Sequence, residues 1–141
     1  MKHIVICIVL SLCSISVWSQ STTSFSGDWK RACNQWDSTT ETWVPVIEIL
    51  RITQSESGAY HIQGKVVNAS DGTTRAYTNL VLDSCINNVI KYHEVSGSHV
   101  FYHSLSFDGD AAKNVCTHGR YDGETYPINR IDYYYRRQED W

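Results

Sequence analysis

The side chains able to do chemistry in this chain are sparse and mostly aromatic, basic or sulfur-bearing. His99 and His103 are spaced as a pair. Four residues along an extended strand separate two side chains by about 13 Å, too far to share one ion. His93 falls on the opposite face of the same hairpin, so no metal site and no cofactor is expected. His103 is the more informative residue, because it lies across from Tyr92. Such a pair either orients a ligand or satisfies itself inside a core. Arg31 shares a strand face with Trp29, and an inward guanidinium needs a carboxylate, a carbonyl cluster or an anionic ligand. Glu48 on the following strand can serve, so an internal Arg31–Glu48 pair and an acid-binding role both stand. The chain has no Gly-x-Ser-x-Gly elbow, phosphate loop or His-Glu-x-x-His. A barrel enzyme using His103 with Glu94 or Glu48 needs no such signature and stays open as a third reading.

These residues must be held by strands. Turn signals recur at Ser55–Gly58, Ala69–Gly72, Gly97-Ser98, Asp108–Asp110 and Asp122-Gly123, separated by runs rich in Val, Ile, Thr, Tyr and Phe. Short β-favouring runs between Gly and Asp turns are the pattern of an all-β sandwich or barrel. Eight strands are predicted: 27–36, 46–54, 60–68, 75–82, 89–96, 99–107, 115–122 and 128–137. Hairpin-length connections favour sequential antiparallel neighbours, and closing the meander removes its exposed edges. The expected fold is therefore an eight-stranded antiparallel up-and-down β-barrel.

Gly97-Ser98 suits a type II′ turn, which sets a register pairing Val95 with Val100, Tyr92 with His103 and Ile90 with Leu105. Ile90, Tyr92, Phe101, His103, Leu105 and Phe107 then share the inward face.

The chain begins Met-Lys-His, continues with the apolar run 4–10, and reaches Val17-Trp18-Ser19-Gln20. That is the layout of a secretory signal peptide, residues 1–19, cleaved before Gln20. The apolar span is too short for a membrane anchor, so a secreted or periplasmic protein with no transmembrane segment is expected. One domain, 20–141, follows. Losing Lys2 moves the net charge from -3 to -4, and mild acidity gives no reason to expect nucleic acid. Cys33, Cys85 and Cys116 remain after cleavage. In an oxidising compartment the default is one disulfide and one unpaired thiol. The fourth strand ends, and the seventh begins, at the same end of such a barrel, which favours Cys85 with Cys116. Asn68-Ala69-Ser70 fits a glycosylation acceptor in a turn.

Phe25-Ser26-Gly27-Asp28-Trp29 at the first strand and Tyr133-Tyr134-Tyr135-Arg136-Arg137 at the last resemble the lipocalin and wider calycin pattern. There a Gly-x-Trp packs its indole at the closed end of the barrel, beneath an arginine from the far end of the chain. The resemblance implies structural roles for Gly27 and Trp29 and for Arg136 or Arg137, the guanidinium stacking on the indole. The Thr-Asp-Tyr-like loop of lipocalins is replaced by Asp108-Gly109-Asp110, and no room is expected for the helix that lipocalins place after the eighth strand.

The function expected first is extracytoplasmic binding of a small hydrophobic or weakly acidic ligand, lined by Arg31, Tyr60, Tyr92, Phe101, His103 and Tyr133. An eight-stranded barrel has interior for one small ligand or for its own side chains. A filled barrel would instead act through its surface, as an inhibitor, adhesin or envelope-complex subunit with a protein partner.

Overall fold

The computed structural model describes residues 25–136. The leader, its cleavage point, Arg137 and Trp141 lie outside the described residues. Eight strands follow one another: β1 (Gly27–Asp37), β2 (Thr42–Gln54), β3 (Tyr60–Asn68), β4 (Thr74–Ile86), β5 (Val89–Ser96), β6 (His99–Asp108), β7 (Ala111–Tyr121) and β8 (Glu124–Tyr135). Each is antiparallel to the next, and together they close into a barrel in meander order.

The expected register of β5 and β6 is observed, with Val95 opposite Val100, Tyr92 opposite His103 and Ile90 opposite Leu105. Gly97 has φ +60°, the conformation that a glycine at the first turn position adopts without steric cost. The β4–β5 hairpin is longer than the sequence suggests. It ends in Asn87-Asn88, both at positive φ (51° and 61°), a two-residue turn of the I′ kind that asparagine tolerates almost as well as glycine.

Alternation divides the barrel into two halves. At the end holding the start of β1, inward positions are apolar and large. Trp29, Ile52, Ile62, Ile90, Leu105 and Tyr134 pack together, with Phe25, Tyr60 and Phe107 against them. Burying each such side chain contributes about 1.5–3 kcal/mol, and this cluster fills the closed end. Toward the other end the inward positions turn polar or small: Gln35, Glu48, Gly64, Ala76, Glu94 and Asn114. Gly64 is needed there. A Cβ on it would lie 2.9 Å from both Leu80 Cδ1 and Thr78 Cβ, so any side chain would push β4 off the wall.

Closure is uneven. β1 and β8 share one bridging pair among the described residues, Lys30 with Tyr135, whereas β1 and β2 pair along eleven positions. Beyond that bridge the seam depends on side chains.

The expected Cys85–Cys116 disulfide is not present; Cys33, Cys85 and Cys116 are all free thiols. The reason lies in the seventh strand. It starts at Ala111, not Val115, so Cys116 sits mid-strand rather than at an end. Following the ladders from Cys85 leads to Ile90, Leu105 and Asn114 in turn. Cys116 is therefore three strands away and displaced two residues along β7, while a disulfide needs Cα atoms within about 7 Å. Burial is the largest influence on all three thiols and raises the pKa of each, which suppresses the reactive thiolate. Alkylation of unreduced protein should thus be slow in the native state and, in denaturant, place a label on each of Cys33, Cys85 and Cys116. A peptide map showing Cys85 linked to Cys116 would refute this arrangement.

Candidate functional site

The half of the barrel away from Trp29 holds a partly open cavity of about 300 Å³. Leu50, Val66 and Leu80 supply apolar wall, and Tyr92, Glu94, His103, Asn114, Arg130 and Tyr134 supply polar groups. These come from β2 to β8, so the site is a product of barrel closure and not of any local motif. Polar groups make up the larger part of the wall, with the apolar side chains gathered at Leu50, Val66 and Leu80.

A hydrogen-bonded chain forms its floor. The Tyr92 hydroxyl donates to Asn114 Oδ1 at 3.0 Å, and Asn114 Nδ2 lies 3.2 Å from His103 Nδ1. The Tyr92 and His103 rings stack with centroids 4.7 Å apart and planes 7° apart. His103 is 6% exposed, and its Nε2 has no hydrogen-bond partner among the described residues. The nearest carboxylate oxygen, Glu94 Oε2, is 3.7 Å from it, beyond hydrogen-bond length.

Behind this floor lies an ion cluster. Arg31 donates to Glu48 Oε2 from Nε at 3.1 Å and from Nη2 at 2.7 Å, and its Nη1 is 3.2 Å from Asp132 Oδ1. Tyr134 donates to the same Glu48 oxygen at 3.0 Å, and Arg130 donates to Asp132 at 2.9 Å. Burial works against the Arg31 charge, but Glu48 outweighs it and holds the guanidinium more firmly protonated than usual. The cluster joins β1 and β2 to β8 across the seam that backbone pairing leaves open.

Two phenols belong to this interior, and burial is the first cause raising the pKa of both Tyr92 and Tyr134, with Glu48 adding to it at Tyr134. A folded-state pKa above the unfolded value of about 10 means that the associated stability is intact below pH 10 and is lost as pH rises above it. Two such groups give a slope of about 2.7 kcal/mol per pH unit in that alkaline window. An absorbance titration of the nine tyrosines should show two that ionise only as the barrel unfolds. Nine phenols ionising together before any loss of circular dichroism would contradict the buried placement.

The expected lining residues separate into groups. Tyr92 and His103 are at the cavity. Arg31 is beside it, occupied by Glu48 and Asp132. Tyr60 packs in the closed end against Phe25, with ring centroids 6.0 Å apart. Phe101 is opposite Glu94 and Gly119 near the other rim and stacks on His99. Tyr133 is a correction: it points outward, 49% exposed, while its neighbour Tyr134 takes the interior at 5%. Three consecutive tyrosines carry no parity of their own. The apolar neighbour Ile131 suggests the wrong face, because the inward place is taken by Asp132 as a partner for Arg31. Asn114 and Arg130 were missed: Asn114 precedes the expected start of the seventh strand, and Arg130 reads as a surface charge.

At the closed end, the Arg136 guanidinium stands 4.5 Å from the Trp29 ring centroid, and Trp29 Nε1 donates to the Phe25 carbonyl at 2.9 Å. Gly27 begins the strand at φ +129°. On the outer wall, Trp36 and Trp43 pair edge to face at 5.6 Å. A groove of about 380 Å³ runs where β3 and β4 part, with Ile49, Ile62 and Leu80 at its base and Arg51 and Lys65 along it. No group of three or more metal-ligating side chains is present among the described residues.

No family model matches this chain, and neither the curated proteins nor the solved structures contain a match to it.

Proposed function

We propose that this chain is an exported barrel of lipocalin type that holds one small amphipathic molecule in the open half of its interior. The carrying observation is the cavity itself: about 300 Å³ of space in the barrel mouth, into which a buried imidazole aims a nitrogen with no partner among the described residues. A filled barrel would have no use for such an atom, since leaving a buried polar group unpaired costs about 1–3 kcal/mol. The Arg136–Trp29 stack and the Gly27-x-Trp29 strand start support the lipocalin-type reading, and the leader-like first nineteen residues support export.

An acidic ligand end finds no free guanidinium at Arg31, because Glu48 and Asp132 already occupy it. A surface role has one observation in its favour: Trp36 and Trp43 are 49% and 66% exposed and lie side by side.

Native mass spectrometry of the protein purified from its own host distinguishes the two readings. The expected result is an adduct of small-molecule mass that is lost on denaturation. A bare polypeptide, together with no small-molecule shift in its melting temperature across a broad metabolite set, would move the function to the outer wall.

A further inference from the structure

The hydrogen-bonded floor also determines which ligand the interior accepts, and this step rests on the small-molecule reading above. An amide nitrogen carries two protons and no free lone pair, so Asn114 Nδ2 can only donate to His103 Nδ1. The structure turns Asn114 Oδ1 toward Tyr92 and Nδ2 toward His103; the reversed amide would have Tyr92 accepting and His103 donating from Nδ1. In the orientation observed His103 Nδ1 accepts, which puts the proton of the neutral imidazole on Nε2. That N–H is buried and faces the cavity. Glu94 Oε2, an acceptor, sits 3.7 Å away on the same side. An oxygen about 2.8 Å from both atoms completes a triangle on that base. It must accept from His103 and donate to Glu94.

We infer that the interior site selects neutral ligands whose polar end is a hydroxyl, accepting one hydrogen bond and donating another, on a small apolar body. A carboxylate would meet the Glu94 charge, while among the described cations of the lining Arg130 donates to Asp132 and Lys65 stands between the inward Gly64 and Val66 on the outer face of β3, and the neighbouring Arg31 is held by Glu48 and Asp132. An ammonium would satisfy Glu94 but turn an N–H toward the His103 N–H. The apolar body meets Leu50, Val66 and Leu80. The cavity volume matches roughly ten waters, which limits the ligand to a single ring with a short chain.

Three probes that share one body make the test: 3-phenylpropan-1-ol, 3-phenylpropionate and 3-phenylpropylamine, titrated at neutral pH into the full mature protein by calorimetry. The alcohol should bind at least tenfold more tightly than the acid or the amine. In Glu94→Gln the acid should gain on the alcohol by at least tenfold, read as the ratio of their dissociation constants. Long-range ¹⁵N spectra of the ligand-free protein should show the His103 proton on Nε2. Tighter binding of the acid or the amine, or a proton found on Nδ1, overturns the selectivity and leaves the small-molecule reading standing. Failure of all three probes to bind at millimolar concentration removes the open-interior reading and this inference together.

Discussion

Arg31→Met is expected to lower the unfolding free energy by about 3 kcal/mol, measured as a shift of the urea midpoint at unchanged slope. Methionine preserves most of the side-chain length, so the loss is mainly electrostatic. Without the guanidinium, Glu48 and Asp132 are left inside the wall as two like charges, with Tyr134 and Cys33 on Glu48 and Arg130 on Asp132 as their partners among the described residues. Removing one member of a buried ion pair costs about 3–5 kcal/mol, because the remaining charge is uncompensated. The lower end applies here, since Arg31 and Glu48 keep 22% and 28% of their side-chain surface exposed.

Position makes the effect structural as well as local. β1 and β8 are joined by one backbone bridge among the described residues, so the cluster is the main tie across the seam. Hydrogen exchange should accelerate in β1 and β8 before the other strands. The triple variant Arg31→Met, Glu48→Gln, Asp132→Asn removes the charges together and should recover at least half of the loss. A single variant within about 0.5 kcal/mol of the parent, the range of an ordinary surface change, would show that the cluster does not hold the seam.

The same cluster shows where the sequence is readable and where it is not. The β5–β6 hairpin is legible to the residue, because Gly97-Ser98 admits one turn and the turn admits one register. Arg31 with Glu48 is legible too, since adjacent strands place them opposite each other. Their third member, Asp132, is not. It arrives from the other end of the chain and reverses the apolar parity that Ile131 implies. The start of β7 is hidden for a related reason. Ala111, Ala112, Lys113 and Asn114 have weak strand preference, and their pairing with Asp108, Phe107, Ser106 and Leu105 recruits them. Tertiary partners override local preference in sheets. With Asn114 out of the strand, its meeting with Tyr92 and His103 cannot be foreseen, and Cys116 moves to a false position at the strand end. The β6–β7 register also shifts between Tyr102 and His103, and nothing in composition announces that irregularity.

The closed end carries the second large effect: Trp29→Ala should cost about 4–5 kcal/mol, at the top of the range for truncating a buried aromatic. Trp29 is fully buried, lies against Phe107 with ring centroids 5.0 Å apart, and reaches the Phe25 carbonyl through its indole N–H. Alanine abandons all three and leaves a void that the surrounding ladders resist collapsing. It also strips the Arg136 guanidinium of the ring face beneath it. A double-mutant cycle of Trp29→Ala with Arg136→Ala should give a coupling of about 1 kcal/mol for that stack. Trp29→Phe refills most of the space and should cost about 1–2 kcal/mol, part of it the lost hydrogen bond to Phe25. Against a total stability of about 5–15 kcal/mol for a domain, the alanine variant approaches the threshold for folding. Circular dichroism in urea is the proper readout, because other tryptophans confuse fluorescence. Because the indole packs at the end opposite the cavity, any Trp29→Phe protein that folds should bind probe alcohols as the parent does. Loss of binding in a fully folded Trp29→Phe barrel would mean that the two halves of the interior are one site, and that the closed end is part of the ligand's container.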